Sequence, residues 1–328
     1  MSMSQAARRF AAALTVLGVA ALAAPASAQQ IQVALGDTVS TETLSFVIAL
    51  ERAKERGFDY KLTSFAKEDL AIQAVIGGQA QVGAATPYAI MQKTKAPMRN
   101  LFQMTHLVFF AVADHSIKDW KALDGQPFTF HARGSGTEAI CNILAKRNGI
   151  NFGQRNYIAG SENRVVALIN GQIKASIIDL ANKDLLMARA PGKFHVLPGL
   201  PSAASDEVLF ARTDWLNANR AKAELLVEEL LKLWTEMHKN PAIVEQERAK
   251  RNLLKDQPKE VLEKITAFYT RATREGVFSK TGGSVDGIKT DFEFYVEAGQ
   301  MTGPADQLKV EEFWDLGPLT KARQKIGS

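Results

Sequence analysis

Ala74-Val75-Ile76-Gly77-Gly78-Gln79 recurs, at one constant offset, as Ala167-Leu168-Ile169-Asn170-Gly171-Gln172, with alanine, isoleucine, glycine and glutamine shared. In both places a helix-like apolar stripe runs into glycine and then into a strand-like segment, Gln81 to Ala85 in the first copy and Lys174 to Ile178 in the second. Junctions of this kind are common, so the match gains weight from its setting. Before the first copy, Ile31, Val33 and Leu35 alternate as a strand and Gly36 to Thr41 form a polar turn. Leu44, Val47 and Ile48 then start a helix that Gly57 ends, and Phe58-Tyr60-Leu62 reads as a second strand. Before the second copy come a strand at Phe128, a glycine loop, a helix from Glu138 to Arg147 stopped by Gly149, and a strand near Tyr157-Ile158. Two βαβαβ units predict an α/β protein of two lobes, with ligand held at the loops beyond the strand carboxyl ends.

Leu107 to Ala113 is a continuous apolar run and Val208 to Ala211 is another, and these are the expected crossings between lobes. The predicted division is lobe 1 over 29–113 plus 208–328 and lobe 2 over 114–207. After Thr213 a long helix carries Leu225, Leu226, Leu230, Leu233 and Met237 in register up to Pro241. Helical segments continue to Gly276, Phe278 to Gly303 shows no clear period, and Leu319 to Ile326 predicts a terminal helix.

Arg8-Arg9, the apolar stretch Phe10 to Ala24 and Pro25-Ala26-Ser27-Ala28 have the order of a secretory signal, so residues 1–28 are expected to be removed after Ala28 and the mature protein to be periplasmic. The stretch is short of the ~20 residues that span a bilayer. The one cysteine, Cys141, falls on a predicted helix and reads as a small core residue. Lys+Arg number 40 against 35 Asp+Glu, and the basic residues neither cluster nor alternate with aromatics, which excludes a nucleic-acid groove. The five histidines lie on separate elements and no Gly-x-Ser-x-Gly elbow occurs, so neither metal nor cofactor is expected and the protein reads as no enzyme. His131 and Ser135 are the one pair placed to suggest an exported hydrolase; a histidine ending a strand is more often structural.

The loop His131-Ala132-Arg133-Gly134-Ser135-Gly136-Thr137 joins strand to helix and admits two compatible readings. Ser135 and Glu138 spell a capping box that needs no ligand. Bare backbone at Gly134 and Gly136, the free amides of the helix start and the cation of Arg133 also suit an anion. No Gly-Lys-Ser/Thr follows, so it is not a nucleotide loop, and Glu138 in the first turn favours a singly charged group over phosphate.

Ala74 to Gly83, the segment Ile117-Lys118-Asp119-Trp120-Lys121-Ala122-Leu123-Asp124-Gly125-Gln126, and Arg164 to Asp179 together resemble the periplasmic solute-binding proteins of ABC importers. The branch is the one that includes sulfonate-, taurine- and nitrate-binding proteins and binders of thiamine-pyrimidine precursors. Arg133 to Glu138 is also similar to a segment of the TAXI-type TRAP binding proteins. The resemblance implies the type II periplasmic binding protein fold, two α/β lobes joined by two crossing strands around a ligand cleft, working as a monomer with a membrane permease. It places ligand contacts at Asp37, Thr38, Ser40 and Thr41, at Thr86 and Tyr88, at Arg133, Ser135, Gly136 and Thr137, at Ser161 and Asn163, and at Asp179 and Asn182. The implied ligand is a small organic anion or zwitterion such as a sulfonate, carboxylate or nitrate-like solute. Asp179 either meets an amine on a zwitterion or pairs with Arg133; Tyr88 is either a lid or a packed helix-start residue, and Thr86-Pro87 is equally a plain cap. A TRAP partner or a membrane sensor remains an alternative to the ABC importer.

Overall fold

β1 (Ile31–Leu35), α1 (Leu44–Glu55), β2 (Tyr60–Ser64), α2 (Glu68–Ile76), β3 (Val82–Ala85), α3 (Tyr88–Thr94) and β4 (Met98–Gln103) follow one another in the alternation that the sequence predicts. The computed structural model describes residues 30–200 and 204–327, so the expected signal segment and its cleavage point lie outside the described residues. The alternation resumes with β5 (Phe109–Asp114), β6 (Phe128–Phe130), α4 (Gly136–Asn148), β7 (Arg155–Tyr157), α5 (Ser161–Ile169), β8 (Ala175–Asp179), α6 (Leu180–Arg189) and β9 (Phe194–Val196). β10 (Val208–Arg212) closes the strand set.

The strands form two five-stranded sheets, ordered β2-β1-β3-β10-β4 and β7-β6-β8-β5-β9. β1 runs parallel to both neighbours, with Val33 opposite Leu62 and Val82, and β10 enters antiparallel between β3 and β4. A Cβ on Gly83 would fall 2.3 Å from the Phe210 ring, so only glycine lets β3 and β10 lie this close. In the second sheet β6 is parallel to β7 and β8, while β5 is antiparallel to β8 and β9.

The repeated hexapeptide has the same backbone in both copies. Gly78 and Gly171 take φ of +77° and +72°, and their amides donate to Val75 O and Leu168 O. Two residues on, Ala80 N and Ile173 N return to Ala74 O and Ala167 O, the left-handed helix ending that glycine permits at no steric cost.

The crossing is shorter and earlier than Leu107 to Ala113. Phe109–Asp114 pairs within the second sheet, on the far side of the expected division at Ala113. A strand with partners on both edges is itself a continuous apolar run, which is why the sequence could not separate crossing from strand. The chain crosses at 104–108 beside 204–207: Met104 N and Thr105 N donate to Glu207 O, Asp206 N to Thr105 O, and Leu107 N to Ala204 O.

The remaining helices are α7 (Thr213–Ala218), α8 (Arg220–Lys239), α9 (Ile243–Arg251), α10 (Lys259–Leu262), α11 (Ile265–Arg274), α12 (Val285–Glu297), α13 (Val310–Phe313) and α14 (Gly317–Ile326). Leu226, Leu230, Leu233 and Met237 bury the expected stripe of α8, and its Trp234 donates an indole N–H to Met104 O at 2.9 Å. α12 stands in the stretch where no period is legible. Its buried stripe is Ile288, Asp291, Phe292 and Tyr295, so an aspartate interrupts the apolar pattern at its centre. That carboxylate is fully buried and clamps the second crossing. It accepts Ser205 N (2.6 Å), Ser205 Oγ (2.7 Å) and the Tyr88 hydroxyl, while the Tyr295 hydroxyl donates to Ser205 O (2.6 Å).

Candidate ligand-binding site

Where the parallel strands end against the crossing, side chains of both lobes meet around a cavity of about 40 Å³. Asp37 follows β1, Glu42 precedes α1 and Glu68 opens α2; His131 follows β6, Thr137 and Ser161 sit at the starts of α4 and α5, and Arg164 lies one turn into α5. Phe109 of β5 and the crossing residues Asp206 and Glu207 complete the wall. These are the carboxyl-end loops and helix starts to which an α/β sheet directs its ligands. The cavity has room for about three waters.

Five carboxyl groups face one cation. Burial lifts Asp37 to about 6 against the pull of the Thr38 amide, and lifts Glu68 to about 7 despite hydrogen bonds from Thr86. Burial carries Glu207 to about 8, with the charges of Asp37 and Glu68 adding. It also holds Glu42 and Asp206 well above the carboxylate range, helped respectively by Asp179 and by Glu68. Arg164 is 1% exposed, and although burial lowers its pKa a guanidinium stays charged. Most of its donors serve the protein: Nε to Ile177 O (2.9 Å), Nη1 to Ile158 O (2.8 Å) and Nη2 to Ser161 Oγ (2.7 Å). His131 is held neutral, near 3, by burial first and by the Arg164 charge second, with the Gly36 backbone opposing. Among the described residues no group of three or more His, Cys, Asp or Glu side chains is arranged to hold a metal ion.

Of the residues expected at the site, Asp37, Thr137 and Ser161 lie on this wall. Thr86 stands behind it, its amide donating to Glu68 Oε2 (3.1 Å) and its hydroxyl to Asp206 O (3.0 Å). Thr38, Ser40 and Thr41 shape the loop: Thr38 N donates to Asp37 Oδ1, Ser40 N to Thr43 Oγ1, and Thr41 O accepts from Tyr269. Tyr88 is fully buried, bonded to Asp291 and to the Trp314 indole, and stacked on Tyr295. Asp179 caps α6, accepting Asn182 N (2.9 Å) and Nδ2 (2.7 Å), and makes no ion pair with Arg133; Asn163 is exposed and turns back to Ala159 O.

The Arg133 loop carries its cap: Ser135 Oγ receives Glu138 N (3.4 Å) and Glu138 Oε2 receives Gly134 N (2.7 Å). Arg133 itself is exposed, lies over the Tyr157 ring at 5.6 Å, and borders a separate groove of about 520 Å³ with Lys93 and Gln300. Gly136 is needed for packing, because a Cβ there would fall 2.2 Å from Leu107 and 2.7 Å from Asp206 Oδ1.

The wall residues that the sequence did not mark as ligand contacts are Glu42, Glu68, Phe109, Arg164, Asp206, Glu207 and His131, the last singled out there only as a hydrolase candidate. Glu68 resembles any acid in a first helical turn, and Asp206-Glu207 any polar pair ahead of a strand. Arg164 leaves one legible trace, an arginine beside Val165 and Leu168 on the buried stripe of α5.

Solved structures of the same fold cover nearly the whole chain. A protein from Bordetella bronchiseptica RB50 aligns over 91% of this chain and 98% of its own, at TM-score 0.73 and 20% identity. The periplasmic nitrate-binding protein NrtA from Synechocystis PCC 6803 aligns over 91% and 89%, at 0.67 and 14%. The ligand-binding component of an ABC-type import system from Staphylococcus aureus aligns over 90% and 99%, at 0.66 and 16%. No curated protein matches. Residues 46–243, more than half of the sequence, match the family described as NMT1/THI5 like. With that match and two five-stranded sheets flanked by helices, the chain belongs to the NMT1/THI5-like family and has the fold of the periplasmic substrate-binding proteins of ABC importers.

Proposed function

We propose that the protein is the exported solute-binding subunit of an ABC importer, and that it closes on a small organic solute bearing a positively charged nitrogen. The solute is an organic cation or an amine-bearing zwitterion, which is passed to a membrane permease. The family and the basic, apolar and small-residue order of the first 28 residues support the transport role. One observation carries the ligand class: five carboxyl groups surround the cavity, and the one guanidinium there is already spent largely on Ile158 O, Ile177 O and Ser161 Oγ. A cation offsets the repulsion among such carboxylates, whereas a free anion adds to it. Phe109 supplies an aromatic wall of the kind that accepts cationic nitrogen. A zwitterion would set its negative end toward Thr137, Ser161 and Arg164. Arg133, exposed on another groove, has no part in this contact.

A thermal-shift screen at pH 7.5 tests the proposal with alkylamines, amino acids, taurine, nitrate, alkanesulfonates and carboxylates. Solute at ~100 times its dissociation constant stabilises the fold by about 2.7 kcal/mol. Amine-bearing solutes are expected to shift the transition; shifts confined to nitrate, sulfonates or carboxylates would overturn the ligand class.

A further inference from the structure

Resting on the functional proposal above, we infer that His131 is a specificity-determining residue of this site: it presents Nε2–H to the cavity and so selects solutes that carry a neutral hydrogen-bond acceptor beside their cationic nitrogen. The tautomer follows from the groups around Nδ1. Gly160 N lies 3.2 Å from it and Arg164 Nη1 3.4 Å, and both can only donate. Nδ1 is therefore the acceptor and the proton resides on Nε2.

The ring is only 8% exposed and His131 lines the cavity; no partner lies within hydrogen-bond distance of Nε2, and the Gly36 backbone near the ring favours a proton on it. Its nearest carboxylate oxygen, Glu68 Oε1 on α2, stands at 3.7 Å, beyond hydrogen-bond reach. A buried donor without a partner is costly, and an acceptor on the solute relieves that cost while the surrounding carboxylates take the charge. The other groups acting on the ring are Arg164 from α5 and the Gly36 backbone, and Asp37 from the loop after β1 lines the same cavity. Arg164 blocks the alternative, protonation of the ring by a neighbouring acid, because its charge sits against Nδ1. His131 thus stays a one-proton neutral donor, a role that none of the carboxylates can fill once ionised. Selectivity of this kind is steep, since an analogue lacking the acceptor leaves the buried donor unpaired.

Nitrogen-15 NMR of the histidine-labelled full-length mature protein tests the geometry, and calorimetry with matched solutes tests the role. The spectrum is expected to show the Nε2–H tautomer with no titration between pH 5 and 8; an Nδ1–H tautomer or a ring that titrates in this range overturns the inference. Glycinamide and isobutylamine share one heavy-atom skeleton, as do ethanolamine and propylamine, and only the first of each pair has an acceptor. The acceptor-bearing member is expected to bind at least tenfold more tightly. His131→Phe should erase that preference and His131→Gln, whose amide N–H replaces Nε2–H, should keep it. Equal affinity of the pairs for the unaltered protein overturns the inference alone and leaves the charge-based proposal standing, and this comparison holds if the phenylalanine variant fails to fold. No response to any of the four amines overturns this inference, and no response to glycine or taurine either overturns the charge-based proposal with it.

Discussion

Binding of a cationic solute at pH 7 should expel protons from the cavity. Glu68, raised to about 7, holds about half a proton at that pH, and Glu207, raised to about 8, holds roughly 0.9. A unit positive charge about 4 Å from a carboxylate, at an effective dielectric of about 20, favours the ionised form by about 4 kcal/mol, roughly three pKa units. Both groups then ionise almost fully, so more than one proton leaves per solute bound, with Glu42 and Asp206 adding to the count. The release is read by titration calorimetry in phosphate, HEPES and Tris at equal pH, since observed enthalpy varies with buffer ionisation enthalpy in proportion to the protons exchanged. Affinity should also rise with pH from 5 to 8 and then level off as the carboxyl groups lose their protons unaided. Buffer-independent enthalpies, or proton uptake on binding, would refute the reasoning, and uptake is the sign that capture of an anion by the same protonated carboxyls would give.

Three further outcomes follow from particular contacts. Arg133→Ala should change solute affinity less than threefold, because the side chain stands outside the cavity against Tyr157; a tenfold loss by calorimetry would return it to the site. Asp291, buried in α12, is raised by burial from an ordinary 3.8 to about 6, so its contribution to stability is full below pH 4 and is lost as pH rises through 6. Denaturant titrations of Asp291→Asn against the unaltered protein should therefore show a stability difference that moves by about 2.4 kcal/mol in the variant's favour between pH 4 and pH 8, and a pH-independent difference would refute the assignment. Gly83→Ala should cost about 1–3 kcal/mol in the same assay, since its methyl group would sit inside the Phe210 ring; an unchanged midpoint would show that β3 and β10 can move apart.

The fold was legible because its periodic parts are local. Strands such as Ile31–Leu35 and helix endings such as Gly78 and Gly171 are dictated by neighbours in sequence, and the repeat shows that one solution was used twice. α12 was illegible for a physical reason: Asp291 occupies a core position because three donors from distant segments satisfy it, and no pattern within Val285–Glu297 reveals those partners. The site failed to appear for a related reason. Arg133 stands in a glycine loop that looks built for an anion, whereas Arg164, embedded in an apolar helix face, is the cation that the fold draws inward. Loop chemistry is visible along the chain. Which of two arginines faces the seam depends on how α5 packs against β8, and that is a tertiary fact.

Asp206 and Glu207 lie on the paired crossing segments themselves, hydrogen-bonded to Thr105 and pinned through Ser205 to Asp291. Should the lobes swing apart about those segments, these two carboxylates stay at the pivot while Asp37, Glu42 and Glu68 depart with one lobe and His131, Ser161 and Arg164 with the other. A solute would then dock in two stages, first on a fixed acidic floor shared by every degree of opening, later between jaws that meet over it. On that proposal the floor would set how readily any cation is picked up from solution, and the jaws would decide which one is kept.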